Sequence, residues 1–472
     1  MIKIYQFLAP LFVYLALSSA LAAKQPNILI FLVDDLGARD LACYDSEFYE
    51  SPAIDQLAAT GQRYTQAYSA HPRCVPSRYG FFTGRFPARD GCPGDTYNIA
   101  AEVTTLGEAM QAGGYRTFYA GKWHLGKKPA EMPSAQGFEI SIAAGAAGTP
   151  RSYFAPYNQS RNRHHKAAKI PDLEDASDGE YLNERLTDET IQFLTSHQAS
   201  ASDQPFFAIL SHYAVHTPIE AKEEDIHYFA EKLGERTKET FLNKDGSTKE
   251  HQDNPSYAAM IRSTDQSLGR VMESLAKLGF LENTLIIFTS DHGGLSNRGV
   301  DNKRKLATSN LPLRAGKGHL YEGGIRVPFI VRWPGVTQSG SESDAIVTGT
   351  DVYATCLEAA GLPLQPDDHI DSVSILPAIR GEAFERSPIL WHNPRPRPTS
   401  TGDTAASALR AGNYKIMKFY FPEVHYELYD LDQDPYEEND LSKSTPELLN
   451  TLTARIDRSL KAVGAIETQE GK

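Results

Sequence analysis

The sequence predicts an α/β fold: a large, mostly parallel central sheet covered by helices, followed by a smaller C-terminal α+β unit containing a short antiparallel sheet. Three observations lead to it. Continuous apolar runs of strand length alternate with stretches of helical periodicity, and each run ends abruptly in polar residues. From about Ser387 the pattern gives way to closely spaced short strands. At 472 residues the chain can hold one large domain with an appendage.

Residues 1–23 read as a signal peptide. Lys3 supplies positive charge, Phe7 to Leu17 is apolar, and Ala20-Leu21-Ala22 has the small-x-small form of a cleavage site. The run falls short of the roughly 20 apolar residues that cross a bilayer. No cysteine stands at the cleavage point to carry a lipid, and no other segment could span. Export to the periplasm or the exterior, without a membrane anchor, is the expectation.

Within residues 24–385 four apolar runs are expected as strands. They are Asn27 to Val33 before Asp34-Asp35, Thr117 to Tyr119 before Gly121-Lys122-Trp123-His124, Phe206 to Leu210 before His212 and His216, and Thr284 to Ser290 before Asp291-His292. Continuous apolar runs suit strands buried on both faces, as is typical of parallel sheets. Helices are expected between them at Ala53 to Gly61, Leu106 to Gly113, Leu182 to Ser196 and Tyr257 to Gly279. The last places Met260, Ile261, Leu268, Val271, Met272 and Leu275 near helical spacing and stops at a glycine. Ligands of such sheets gather beyond the carboxyl ends of the strands, so every polar ending above should fall on one edge.

Gly145 to Asp178 reads as a polar surface insertion, and Glu220 to Asn254 as an outer helix plus loop. Residues 386–472 make the C-terminal unit, with strands at Ser407 to Arg410, Tyr414 to Tyr420 and Tyr426 to Tyr429, then a helix from Pro446 to Leu460.

A net charge of −13 argues against nucleic acid or an acidic membrane as the main partner, while leaving room for a local basic pocket that holds a small anion. Four cysteines, Cys43, Cys74, Cys92 and Cys356, are few for a disulfide framework. Cys43 and Cys92 stand as a candidate pair, and a cysteine kept for chemistry fits an exported chain.

Cys74 lies two residues before Pro76, which favours the first turn of a helix. Its sulfur is therefore expected at a helix N-terminus, where free amides and the dipole stabilise negative charge. Taken alone, such a cysteine is equally consistent with a structural residue or a low-pKa thiol. Asp34, Asp35 and Asp291 all follow strands. Each alone is an ordinary turn residue or helix cap. Together, their carboxylates would repel one another without a cation, and a hard divalent ion with oxygen ligands answers that need.

The motif Cys74-Val75-Pro76-Ser77-Arg78, followed by Phe82-Thr83-Gly84-Arg85, resembles the signature of the type I, formylglycine-dependent sulfatases of the alkaline-phosphatase-like superfamily. The resemblance extends over most of the chain. Pro26 to Gly37 is similar to the family's opening, Gly114 to Gly126 to its second signature, and Ser290 to Gly294 and Gly316 to Pro328 to its later blocks. Tyr426 to Pro435 matches its closing strand pair.

The resemblance implies a sulfuric ester hydrolase in which a maturation enzyme converts Cys74 to formylglycine. It implies one Ca²⁺ held by Asp34, Asp35, Asp291, His292 and an oxygen of the modified Cys74. His292 stands where the commonest family pattern has Asn, and imidazole suits transition metals better than calcium; calcium remains the expectation. Arg78, Lys122, His124, His216 and Lys317 correspond to the family's cationic ring. In the implied mechanism hydrated formylglycine attacks sulfur while Asp291 takes its proton and the metal holds the nucleophilic oxygen. Lys317 and His216 stabilise or protonate the leaving alcohol, and His124 deprotonates the remaining hydroxyl to expel sulfate. Arg78 and Lys122 hold the modified side chain and the metal site in place.

Two other readings stand beside this one. A phosphate or phosphonate monoester hydrolase shares the fold, and a sulfated-glycan-binding protein would leave Cys74 unconverted. By resemblance the substrate is expected to be a sulfated sugar from a polysaccharide. Two patches are candidates to contact it. One is Arg163, His164 and His165 in the insertion; the other is Trp391, His392 and Arg395, with the indole stacking on a sugar and the guanidinium pairing an anion.

Overall fold

The computed structural model describes residues 24–91, 99–100, 102–159, 168–235, 239–299 and 304–470. The signal-peptide expectation, Cys92, and the patch of Arg163, His164 and His165 lie outside the described residues.

The central sheet has eight strands in the spatial order Ser341–Ser343, Gln62–Tyr64, Phe329–Arg332, Thr284–Ser290, Asn27–Val33, Phe206–Ser211, Arg116–Gly121 and Ile140–Ile142. Asn27–Val33 runs parallel to both neighbours, and Arg116–Gly121 continues the parallel set, whereas Phe329–Arg332 is antiparallel to the strands flanking it. All seven residues of Asn27–Val33 are buried. Leu29, Phe31 and Val33 enter one hydrophobic cluster while Ile28, Ile30 and Leu32 enter the other. Two covered faces explain why Ile28 to Val33 is apolar throughout rather than alternating.

Leu182–Ala201 and Pro255–Lys277 supply buried side chains to the first cluster; Cys74–Thr83, Leu106–Ala112 and Asp351–Ala359 supply the second. Leu106–Ala112 starts at a capping box in which Thr105 Oγ1 accepts from Glu108 N and a Glu108 oxygen accepts from Thr105 N. Leu182–Ala201 continues past the expected Ser196, since no glycine or proline intervenes before Pro205.

The 220–254 segment departs from expectation. After the helix Glu223–Leu233, Phe241–Asn243 and Ser247–Lys249 pair as a hairpin, and Asn297–Arg298 joins it. Asp245 and Gly246 both take positive φ at its turn, so the Asp-Gly pair was the readable hairpin signal.

The second sheet is a four-stranded antiparallel meander of Ile389–Asn393, Ala406–Ala411, Tyr414–Phe419 and His425–Asp430, with the helix Pro446–Ala462 after it. Its buried side chains share a cluster with Tyr68, Phe86, Leu320, Tyr321 and Ile325 of the main body. The meander therefore packs beside the Pro87–Asp90 turn and the 315–325 segment. Among the described residues no helix is long and apolar enough to cross a membrane.

Candidate active site

Strand register gathers the polar endings. Leu32 pairs with Ser211, Val33 with Ser290 and Gly121 with Ser211, so Asp34-Asp35, Lys122 and Asp291-His292 leave the sheet side by side. Asp34 N donates to Ala214 O and Val215 N to Asp34 O, which ties in the His216 segment. The fifth contributor is the helix Cys74–Thr83, whose first residue is Cys74 and all of whose residues are buried.

Arg78, fully buried, fastens this helix to the sheet edge. Its Nε donates to Asp291 Oδ2 at 2.9 Å, and its Nη1 donates to Lys122 O at 2.7 Å and Ser211 Oγ at 2.9 Å. Asp34 forms a buried ion pair with Lys122. Asp35 pairs with Lys317, and His216 Nε2 lies 3.8 Å from its other oxygen. His292 Nε2 is 3.3 Å from Cys74 Sγ and 3.3 Å from an Asp35 oxygen, while Nδ1 faces Gly293 O. Lys317 Nζ sits 3.8 Å from the same sulfur.

His124 closes the site with a left-handed backbone, φ 62°, held by a bond from its N–H to Gly145 O. Its ring lies against Gly148, where an added Cβ would come within 2.3 Å of it. The beginning of the polar insertion thus forms a wall of the site.

These contacts set the charge states. Burial opposes a Cys74 thiolate, yet Lys122, Lys317, His292 and a hydrogen bond from His124 pull the thiol well below its usual value. Burial and then Asp291 push Asp34 well above the carboxylate range, against the pull of Lys122. Asp35 and Asp291 go the other way: burial is overcome by His216 and Lys317 for Asp35, and by His292 and Arg78 for Asp291. Burial pulls His216 down to about 3, with Asp35 opposing and Lys317 adding to the fall. Burial likewise lowers His124. Lys317 is held above its ordinary value because Asp35 and Cys74 outweigh burial.

Asp34, Cys74, Asp291 and His292 each offer an atom within 4.8 Å of the others, and Asp35, Cys74 and His216 form a second such group. One oxygen of Asp34, Oδ1, is buried without a hydrogen-bond partner. A buried carboxylate oxygen left unpaired beside two further carboxylates is what a cation site requires.

A family model described as Sulfatase matches residues 26–362, well over half of the chain. The chain belongs to the sulfatase family. A second model, described as N-sulphoglucosamine sulphohydrolase, C-terminal, matches residues 315–463. The sulfatase is 31% identical to the N-acetylgalactosamine-6-sulfatase of Canis lupus familiaris over 84% of this chain and 73% of that one. It is 30% identical to the Arylsulfatase A of Homo sapiens over 94% and 90%. The solved structure of Ps i-CgsB in complex with k-i-k-neocarrahexaose superposes with a TM-score of 0.74 at 27% identity, covering 93% of each chain. A phosphonate monoester hydrolase of Agrobacterium radiobacter shares the fold at 20% identity and a TM-score of 0.67. The protein is therefore a sulfuric ester hydrolase of alkaline-phosphatase-like architecture.

The structure brings Cys74, Arg78, Lys122, His124, His216, Asp291, His292, Lys317, Asp34 and Asp35 into one cluster. It does not bring Trp391 or His392 to it. Trp391 is 1% exposed, its Nε1 donates to Ser69 O, and its ring packs edge-on against Tyr68. No face of it is left for a sugar, and the reading of Trp391 as a stacking residue is corrected to a core anchor. His392 is likewise enclosed, bonded to Ser407 Oγ and Ile466 O. Both lie on the strand Ile389–Asn393, which the sequence reading left out. Arg395 is exposed but lines a neighbouring depression with Gln469 rather than the cleft.

The cleft over Cys74 has a volume of about 520 Å³. Lys127, Arg304, Arg397 and Arg73 line it, and the sequence reading missed all four. Arg73 was readable from its place beside Cys74; Arg304 and Arg397 lie in polar stretches with no periodicity or motif to mark them.

Proposed function

We propose that this sulfatase hydrolyses sulfate monoesters on sulfated oligosaccharides derived from polysaccharides, after export to the periplasm or exterior, using formylglycine made from Cys74 and one bound Ca²⁺. The observation that carries the reading is the meeting of Cys74 with Asp34, Asp291 and His292 within 4.8 Å, with Lys317 Nζ 3.8 Å from the sulfur. A relative that is an N-acetylgalactosamine-6-sulfatase and a neighbour bound to k-i-k-neocarrahexaose support a sugar substrate.

Asp34, Asp35, Asp291 and His292 would hold the cation, and three carboxylates against one imidazole favour calcium over zinc. Formylglycine supplies, as its hydrate, a hydroxyl nucleophile and a second hydroxyl for releasing sulfate, and Ca²⁺ supplies positive charge to the reacting oxygens. Arg78 fixes one oxygen of Asp291 and leaves the other facing residue 74, in place to take the nucleophile's proton. Lys317, charged and beside the sulfur, offsets the charge that builds on the departing oxygen. His216 is neutral in the free enzyme, and a bound sulfate monoester favours its protonated form, which then donates to the leaving alcohol. Burial lowers His124 and its ring is hydrogen-bonded to Cys74, so it stands where it can accept the proton whose removal from residue 74 expels sulfate.

A phosphate or phosphonate ester would bring more charge to the same pocket, and the likeness to the phosphonate monoester hydrolase is one of fold. Rates on paired aryl sulfate and aryl phosphate decide between them. The sulfate is expected to be the faster substrate by orders of magnitude, and a faster phosphate would overturn the assignment.

A further inference from the structure

One short segment, residues 143–149, leaves the edge strand Ile140–Ile142 and runs along His124. Three bonds pin it. Ala143, fully buried and left-handed at φ 58°, accepts from Tyr213 OH at 2.9 Å through its carbonyl. Gly145 O accepts from His124 N at 3.0 Å, and Thr149 Oγ1 donates to Thr217 O, the carbonyl next to His216. Just beyond, Tyr153 OH donates to Tyr213 O at 2.6 Å. The segment is therefore held on both sides of Gly148 and cannot back away from the site.

Gly148 lies between these anchors. A Cβ built on it would stand 2.3 Å from His124 Cε1, 2.5 Å from Nε2 and 2.9 Å from Nδ1, and these are the three atoms nearest to it. Contacts that short are not tolerated, so one side must give. The backbone of His124 has little room to yield, because its left-handed φ of 62° is held by the bond to Gly145 O. What can still move is the imidazole, and its present direction is the one that meets Cys74. The φ of Gly148 itself is not in the left-handed region, so the need for glycine comes from the ring and not from the backbone.

We propose that Gly148 is a positioning residue for the release of sulfate: its bare Cα lets the 143–149 segment lie against the imidazole and keeps His124 aimed at residue 74. This rests on the reading of His124 as the base for that step. There the proton of the remaining hydroxyl of residue 74 passes to His124, and the carbon–oxygen bond to sulfate breaks with its electron pair on the departing sulfate. The hydroxyl oxygen becomes the carbonyl of the regenerated aldehyde. Transfer of sulfate from the substrate does not call on His124, so a displaced imidazole slows the second half of the turnover and spares the first.

The test compares wild type, Gly148→Ala, His124→Ala and the double variant, each as unconverted chain and as matured, calcium-loaded enzyme. In matured Gly148→Ala, kcat on an aryl sulfate is expected to fall about a hundredfold. KM should fall with it, leaving kcat/KM within about threefold of wild type. The acid-quenched protein should retain sulfate on the peptide containing residue 74, read by its mass, and the aryl alcohol should appear in a burst. His124→Ala supplies the control, since the added methyl then meets no ring. In that background Gly148→Ala should change kcat by less than about twofold and leave the urea midpoint of the unconverted chain in place, whereas with the ring present it lowers that midpoint. If Gly148→Ala alone is too unstable to assay, His124→Ala/Gly148→Ala should still fold, and a double variant equally unfolded would overturn the proposal. So would kcat/KM falling as far as kcat, no retained sulfate, or an equal effect of Gly148→Ala with and without the His124 ring. Sulfate released at the wild-type rate by His124→Ala would instead bring down the reading of His124 as the base, and this role with it.

Discussion

Arg78→Lys keeps a charge and removes a fork. Arg78 spends three donor contacts at zero exposure: Asp291 Oδ2 at 2.9 Å, Lys122 O at 2.7 Å and Ser211 Oγ at 2.9 Å. An ammonium has a single nitrogen and cannot span these positions. Lys122 O retains Ser211 Oγ and Tyr119 OH as donors, so the loss concentrates on the aim of the Asp291 carboxylate. One charge-assisted bond in a buried setting is worth about 1.5–3 kcal/mol, which sets the expected fall in stability. Turnover should suffer more, because displacing a reacting group by about 1 Å costs roughly a hundredfold. Arg78→Ala goes further and strands a buried carboxylate, at about 3–5 kcal/mol. The assay is aryl sulfate turnover beside urea unfolding of the same preparations. Arg78→Lys with kcat within about threefold of wild type would refute the claim that this guanidinium sets the geometry of Asp291.

Two other outcomes follow from the site and its surroundings. Chelation should stop turnover, with Ca²⁺ restoring it better than Zn²⁺, and calcium at about 100 times its Kd should add about 2.7 kcal/mol to the unfolding free energy; metal-free protein with full activity would refute the cation site. His212, buried with Nε2 2.8 Å from Ser267 Oγ, is pulled by burial from 6.5 down to about 3. The folded protein then takes up this proton later than the unfolded chain, so the stability tied to it is intact above about pH 6.5 and falls toward pH 3, by at most about 1.4 kcal/mol per unit. His212→Gln should show a shallower loss of urea midpoint between pH 7 and pH 5, and equal slopes would contradict that burial.

The parallel core was legible because it obeys one local rule. Ile28 to Val33 and Leu285 to Phe288 are apolar at every position, and both lie within strands, Asn27–Val33 and Thr284–Ser290. The candidate site was legible because its members sit at strand ends or within short motifs, where register alone brings them together. Arg397 was not: its position depends on a buried Asp403–Arg73 pair that spans 330 residues of sequence. Trp391 was misread for a related reason. An aromatic beside polar neighbours resembles a binding residue until the strand that carries it is seen to be roofed by Tyr68. The hairpin at 241–249 escaped because its strands are three residues each and carry little apolar pattern.

The most direct test of the central claim is the mass of the peptide containing residue 74, measured on chain expressed with and without a formylglycine-generating enzyme and set beside aryl sulfate turnover of the same samples. The matured sample is expected to carry an aldehyde oxygen in place of the Cys74 sulfur, with activity rising in proportion to the converted fraction and Cys74→Ala folded and inactive. Turnover undiminished in protein whose Cys74 remains entirely a thiol, or in Cys74→Ala, would contradict it.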